Sequence, residues 1–348
     1  VSGHQLTYKH SIEEKKSQLR NLFKEIDCSH MHPKIIPTPI ASGFRNRAKY
    51  KIFGSPDRFE IKGTDPIQGE VPYENALWLL PEWGRTLVTQ IIDVVSKHLD
   101  DYWVDGLEVQ LSHGNEHAHL TLSVKRQNMK SYEDLAESLI ERVPALHGVS
   151  IPSKKNDFGK SYLLHKINGL HFYAHYSAFF QSNLSLTKML MEKIKQKCRH
   201  VDFCRILDLY CGVGFLSLSI AEENTPVIGA DVNKRAVDSA RLNAKNLGIR
   251  QFSLLCSPVE NFIKSIFISP NDLVIIDPPR SGCPNSLIDI ISASKPNDVC
   301  SISCDLSSHV RDLKIWLGDG YKIQSISAFD MFPFTEFLET AVFLRRNS

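Results

Sequence analysis

Residues 205–222 join a short apolar run, Arg205-Ile-Leu-Asp-Leu209, to a glycine turn, Cys211-Gly-Val-Gly214, and then to Phe215-Leu-Ser-Leu-Ser-Ile220. A strand that ends in glycines and re-enters a helix lets the backbone approach a bound nucleotide with no Cβ in the way. The pattern predicts a strand at 205–209 and a helix through Glu222, preceded by a helix at about 185–199. A strand at 226–230, a helix at 234–247 and strands at 252–256, 273–276, 299–303, 323–329 and 340–344 follow. Strands alternating with helices demand a doubly wound, mostly parallel sheet with ligands at the carboxyl ends of its strands.

The first half reads differently. Ile12, Leu19, Leu22, Phe23 and Ile26 recur at helical spacing over 10–26, as do Leu87, Ile91, Ile92, Val95 and Leu99 over 86–99. Short β-like runs lie between 44 and about 62. Glu108–Ser112 and His117–Lys125 alternate in polarity around a turn, and Asn168-Gly169 links Tyr162–Ile167 to Leu170–Ala174 as a tight hairpin. The expected class is α/β, with an α+β domain over 1–174 and a doubly wound domain over 175–348.

At 348 residues the chain can bury two cores, and 42% hydrophobic with 23% charged residues suits an ordinary globular protein. No apolar run approaches the roughly 20 residues of a membrane helix. Val1 opens no signal-peptide pattern, and we expect further residues upstream of it. Eight cysteines stand singly, with no Cys-x-x-Cys spacing, so no metal site is expected and a reducing, cytoplasmic setting is. A net charge of +2 says nothing about nucleic acid, but the first sixty residues hold eleven Lys/Arg against six Asp/Glu. Within them Phe44, Arg45, Arg47, Lys49, Tyr50 and Lys51 mix cations that can neutralise phosphates with aromatics that can stack on bases. The same pattern also suits a solvated basic strand edge.

Gly212-Val-Gly214 lacks the third glycine of the dinucleotide fingerprint. Asp231 ends the next strand, where a carboxylate can accept hydrogen bonds from both ribose hydroxyls and would repel the extra phosphate of NADP. It could equally cap the helix over 234–247. Together these residues resemble the class I S-adenosylmethionine-dependent methyltransferases, which implies S-adenosyl-L-methionine as cofactor. Asp277-Pro-Pro-Arg280 then closes an apolar strand. In enzymes that methylate amino groups of nucleic acids, the similar motif ends in an aromatic that stacks on the base. Arg280 in that place argues against exocyclic nitrogen as acceptor.

Cys304, where the strand 299–303 runs out, suggests a different acceptor. Carbon 5 of uracil is too weak a nucleophile to attack a sulfonium methyl directly. A thiolate that adds at carbon 6 makes an enolate whose carbon 5 can attack. A base must then take the carbon 5 proton, and Glu339 is the candidate. Each taken alone reads as well another way: Cys304 as a buried structural cysteine, Glu339 as a surface acid at a strand start.

From about residue 43 onward the chain resembles the bacterial RNA uracil-5-methyltransferases, which include the tRNA enzyme and two 23S rRNA enzymes. The resemblance is carried by Gly43-Phe-Arg-Asn-Arg-Ala-Lys49, Phe179-Phe-Gln-Ser-Asn183, Asp208-Leu-Tyr-Cys-Gly212, Asp277-Pro-Pro-Arg-Ser-Gly282, Ser303-Cys304 with Arg311-Asp312, and Phe332-Pro333 through Glu339. It implies Cys304 as nucleophile, Glu339 as proton acceptor, and Gln181, Tyr210, Asp231 and Asp277 around the cofactor, beside the open backbone of Gly212. Phe44, Arg45, Arg47 and Lys49 are expected to grip RNA, and Phe180 or Phe179 to stack near a flipped-out base. The likeness is greatest to the shorter 23S rRNA enzyme that lacks an N-terminal β-barrel. A monomer acting on RNA, on 23S rRNA ahead of tRNA, is therefore expected. A catalytically impaired RNA-binding relative and a methyltransferase for a small molecule are the competing readings.

Three departures stand out. The rRNA-type members carry cluster-binding cysteines where this chain has Val1-Ser-Gly-His-Gln-Leu6, and His4 alone cannot hold iron, so no iron–sulfur cluster is expected. The usual Ser-Cys-Asn-Pro reads Ser303-Cys-Asp-Leu306, and an anion at Asp305 is expected to raise the thiol pKa. Phe334 replaces the histidine of Phe-Pro-His-Thr.

Overall fold

The computed structural model describes residues 2–26, 31, 33–55, 58–99, 103–124 and 132–347, with side chains from Thr7 onward except that of Ser55. His4 and Cys28 lie outside the described side chains, so the expectation of no cluster stays one of sequence. The chain divides into two compact units, residues 42–176 with 181–184, and residues 1–41, 177–180 and 185–348.

The chain opens with α1 (Ser2–Lys24) and β1 (Ile35–Ile36). It then builds the α+β unit from β2 (Arg47–Ser55), β3 (Arg58–Asp65), β4 (Gly69–Pro72), the single turn α2 (Tyr73–Ala76), α3 (Glu82–Ser96) and β5 (Val104–Leu111). β6 (Ala118–Val124), α4 (Glu133–Arg142), β7 (Leu146–Ile151), β8 (Asn156–Gly159), β9 (Tyr162–Ile167) and β10 (Leu170–His175) complete it. One sheet runs β4-β3-β2-β5-β6-β7-β8. Its pairs are antiparallel except β6–β7, where α4 supplies the crossover that a parallel pair requires. Leu87, Val88, Ile91 and Val95 of α3 and Leu135, Ala136 and Leu139 of α4 share a core with Leu107, Val109, Leu120 and Leu122 of the sheet. β9 and β10 form a separate hairpin whose turn, Asn168 and Gly169, takes the positive φ values (50° and 78°) that a type I′ turn needs.

The doubly wound unit continues with α5 (Leu184–Cys198), β11 (Arg205–Leu209), α6 (Phe215–Ile220), β12 (Val227–Asp231), α7 (Lys234–Asn246) and β13 (Phe252–Cys256). Next come α8 (Val259–Phe262), β14 (Asp272–Ile276), α9 (Asn285–Ala293), β15 (Asp298–Ser303), α10 (Leu306–Gly318), β16 (Tyr321–Phe329) and β17 (Glu339–Arg346). Its eight strands are ordered β1-β16-β17-β15-β14-β11-β12-β13. β11 to β15 pair in parallel, whereas β17 runs antiparallel to both β15 and β16. Strand order reverses between β11 and β14, which opens a crevice at their carboxyl ends.

The expected extent of the first domain, 1–174, needs correction at its start, because residues 1–41 belong with the doubly wound unit. Leu19 and Phe23 of α1 share a core with Leu313 and Trp316 of α10, and β1 pairs with β16 through Ile35↔Ala328. Helical periodicity reveals an apolar face but not its cover. Trp316 is 0% exposed at the centre of that core. Trp316→Ala is expected to lower unfolding free energy by about 3–5 kcal/mol, read from urea denaturation. No described helix is long and apolar enough to cross a membrane.

Candidate active site

The turn after β11 is held in an unusual backbone conformation. Tyr210, Gly212 and Gly214 all adopt left-handed φ, at 62°, 51° and 75°. A tyrosine there costs about 1–3 kcal/mol of strain, a feature concentrated at functional loops. Asp208, buried inside β11, accepts a hydrogen bond from Ser217 Oγ, and burial pushes its carboxyl up to about 7. Asp231 Oδ2 accepts from Gly212 N at 2.9 Å and Oδ1 from Asn233 N at 2.8 Å, so the carboxylate is locked onto the turn. Asn233, not Asp231, caps α7, accepting from Arg235 N at 3.0 Å and Ala236 N at 3.3 Å. An ideal Cβ on Gly212 would meet nothing within 4 Å, so open space lies over its backbone. A carboxylate with lone pairs to spare beside such an opening fits an adenosyl group and its ribose hydroxyls. Burial and neighbours that include Glu260, to which it hydrogen-bonds, push the Tyr210 phenol upward.

Three further side chains stand at the ends of neighbouring strands. Asp277 follows β14, its N–H 3.4 Å from the Leu209 carbonyl that ends β11. β15 and β17 pair through Ser303↔Thr340, so the next residues out of that ladder, Cys304 and Glu339, face one another. This follows because β17 is reversed: its first residue lies at the edge where β15 ends. Glu339 is 2% exposed, and burial together with Asp277 holds its carboxyl well above the usual range. Burial pushes Asp277 up to about 7. The Cys304 thiol is pushed up to about 11 by burial, then by Glu339 and Asp277, against the opposing pull of an Arg280 hydrogen bond. Arg280 is held over the Phe337 ring, 3.6 Å from its centroid, and 5.8 Å from that of Phe332.

The thiol is raised as expected, but Asp305 is not the cause. Its Oδ1 accepts from Ser308 N at 2.8 Å as the cap of α10, and the anions acting on Cys304 are Glu339 and Asp277. Phe334 takes positive φ (64°), with its ring 5.4 Å from Tyr8. The structure thus gathers Tyr210, Gly212, Asp231, Asp277, Cys304 and Glu339 on one edge of one sheet.

Gln181 belongs to the other unit, where its carbonyl accepts from Asn46 Nδ2 at 3.1 Å and lies 3.2 Å from His113 Nε2. Phe44 must be corrected as an RNA contact: it is 2% exposed and packs edge-on to Trp78, leaving no face for a base. Arg45 is half-buried with its guanidinium 5.8 Å from the Phe44 centroid. Arg47 and Lys49 both pair with Glu108, Lys49 at 3.0 Å, because the β2–β5 register sets Lys49 opposite Glu108. Of the aromatic pair, Phe180 packs edge-on to Phe215 at 5.3 Å, whereas Phe179 is 60% exposed. Sequence reasoning passed over Lys15 and Asp330, although a lysine within an apolar helical stripe was a visible signal.

A reversed strand beside a parallel sheet, a glycine turn at its switch point and a carboxylate at the next strand end define a class I S-adenosylmethionine-dependent methyltransferase. Residues 7–347 match the family model of the tRNA (uracil-5-)-methyltransferases, and the chain belongs to that family. It is 26% identical over 360 residues to the 23S rRNA (uracil(747)-C(5))-methyltransferase RlmC of Xenorhabdus nematophila, covering 97% of this chain and 94% of that one. It is 34% identical over 238 residues to an uncharacterized RNA methyltransferase of Nostoc sp., covering 65% of this chain and only 52%, about half, of that relative. Among solved structures, the Pyrococcus abyssi tRNA (uracil-54, C5)-methyltransferase in complex with S-adenosyl-L-homocysteine superposes with a TM-score of 0.72 at 20% identity. The superposition covers 97% of this chain and 83% of that one, a likeness of fold.

Proposed function

We propose that this protein methylates carbon 5 of a uridine in RNA through a covalent adduct of Cys304 with carbon 6. The observation that carries the reading is Cys304 facing Glu339, with Asp277 beside both, on the sheet edge that also bears the Asp231–Gly212 turn. Asp231 and Gly212 would hold the adenosyl moiety, with Tyr210 and Asp277 alongside. When bound, the cofactor supplies an electrophilic methyl group.

Cys304 would add as a thiolate to carbon 6, and the ring electrons displaced onto carbon 5 would take the methyl group, whose bond to the sulfonium sulfur breaks with the electron pair left on that sulfur. Glu339 then takes the carbon 5 proton. The pair from that C–H bond restores the 5,6 double bond and expels the thiolate. Arg280 favours the thiolate at both ends of the cycle. A base inside a helix is out of reach, so the uridine must be turned out, and exposed Phe179 offers a surface for stacking. Arg45, Arg47 and Lys49 of the α+β unit are assigned to the RNA backbone.

The relative RlmC, similar along nearly the full length of both chains, favours 23S rRNA over tRNA. Nucleoside mass spectrometry of RNA from a deletion strain tests this. We expect 5-methyluridine to fall in 23S rRNA and to persist in tRNA. Loss from tRNA alone would overturn the substrate, and unchanged 5-methyluridine in both would overturn the activity.

A further inference from the structure

The 330–338 connection between β16 and β17 is held at its start by a residue from the opposite end of the chain. Lys15 is 1% exposed and lies on the buried stripe of α1 with Leu19 and Phe23, where the helix pattern calls for an apolar side chain. Its Nζ donates to Asp330 Oδ1 at 2.5 Å and to the Phe332 carbonyl at 2.8 Å. Two turns earlier on the same helix, the Tyr8 hydroxyl accepts from Thr38 N at 2.9 Å and lies beside Asp330, while its ring packs against Phe334. Asp330 N completes the attachment, donating to Ile36 O of β1 at 3.0 Å.

What this anchor holds is the site. The connection closes on the Phe329↔Glu339 pair, and two of its three aromatics, Phe332 and Phe337, flank the Arg280 that hydrogen-bonds Cys304. A charged pair taken out of water is a poor source of stability, since well-packed apolar residues in its place do as well or better. Directional hydrogen bonds to one carboxylate and one carbonyl give what apolar packing does not, a fixed position for the loop. We propose that Lys15 is a positioning residue. It latches the 330–338 connection onto α1 and so sets Glu339, and through Phe332 and Phe337 also Arg280, against Cys304.

The proposal rests on the covalent reading above, and its test separates the two. Methyl transfer from radiolabelled S-adenosylmethionine into 23S rRNA and tRNA transcripts is followed with thermal unfolding, and protein–RNA adducts are scored on denaturing gels. The proteins compared are the wild type, Lys15→Met, and the double variant Lys15→Met/Asp330→Leu. Addition and methyl transfer precede proton removal by Glu339, so a displaced Glu339 stalls the cycle after methylation. Lys15→Met is expected to release product about a hundredfold more slowly, with a methylated adduct building up on ordinary uridine RNA.

The double variant removes both charges of this pair and is expected to regain thermal stability while product release stays slow. Recovery of release together with stability in the double variant overturns the latch. So does a folded Lys15→Met protein that turns over like the wild type without adduct. A wild-type protein that forms no adduct with 5-fluorouridine transcripts fails at the earlier step, and overturns the covalent reading and the latch with it.

Discussion

Cys304→Ala is expected to reduce methyl transfer into RNA by on the order of 10⁴-fold or more, because it removes a group without which the remaining steps have nothing to act on. Carbon 5 becomes a nucleophile only when carbon 6 carries the thiolate, and the neighbouring thiols Cys211 and Cys283 are buried, with burial pushing both upward. The cofactor turn belongs to β11 and β12, outside the β15–β17 ladder that carries Cys304, so binding of S-adenosylhomocysteine should change little. Cys304 is only half-buried, and loss of its sulfur should cost about 1 kcal/mol or less of stability. Glu339→Gln makes the informative contrast. It leaves addition and methyl transfer in place but removes the proton acceptor, so adduct should form and persist. A Cys304→Ala protein that keeps even a hundredth of wild-type turnover, measured by methyl incorporation, would sink covalent catalysis.

The second large effect is on pH. With the Cys304 thiol held near 11, only about one molecule in 10⁴ carries the thiolate at pH 7 in the resting protein. Glu339 is also held up, by burial and by Asp277, and must be ionised to accept a proton. Both required forms are the deprotonated ones, so activity should rise with pH. Single-turnover methylation is expected to climb by about tenfold per unit from pH 7 to 9. Below about 7 Asp277 takes up a proton, which removes one anion facing Cys304 and lowers the thiol's pKa. The decline towards pH 6 should therefore be shallower than the rise above 7. A flat profile between 7 and 9 would mean that the thiol is already ionised in the working complex. Mutating Arg280 should then matter little, whereas in the present account Arg280→Gln lowers the rate by a similar factor throughout that range.

Much of the architecture was legible because it depends on local pattern. The 205–209 and 252–256 strands and the Asn168-Gly169 hairpin came out as read, since apolar runs and turn residues carry their own geometry. The sequence reading made no assignment for α9 or α10, although Asp305 announced the start of α10 in the manner of a helix cap. It was read as a disturbance of the thiol because its neighbour in sequence was Cys304. A carboxylate one residue along the backbone points where its own hydrogen bond takes it, and here that is Ser308 N.

The RNA-contact residues show the same division. Gly43–Lys51 announced cations and aromatics, but not that Phe44 and Tyr50 would be buried or that Glu108 would lie across from Lys49. Which side of a strand faces the core, and which acid the next strand offers, are matters of register. Register is set by the sheet as a whole and not by the nine residues themselves.

By itself, the sequence determined the doubly wound unit, its glycine turn, the carboxylate at 231 and the presence of a thiol and an acid late in the chain. Tertiary structure alone decided that Cys304 and Glu339 meet, because their meeting depends on β17 entering the sheet reversed beside β15. It also decided that α1 belongs with that unit and that Lys15 reaches Asp330 from 315 residues away. Spacing along a chain specifies local geometry, whereas burial and charge coupling arise only between groups that folding brings together.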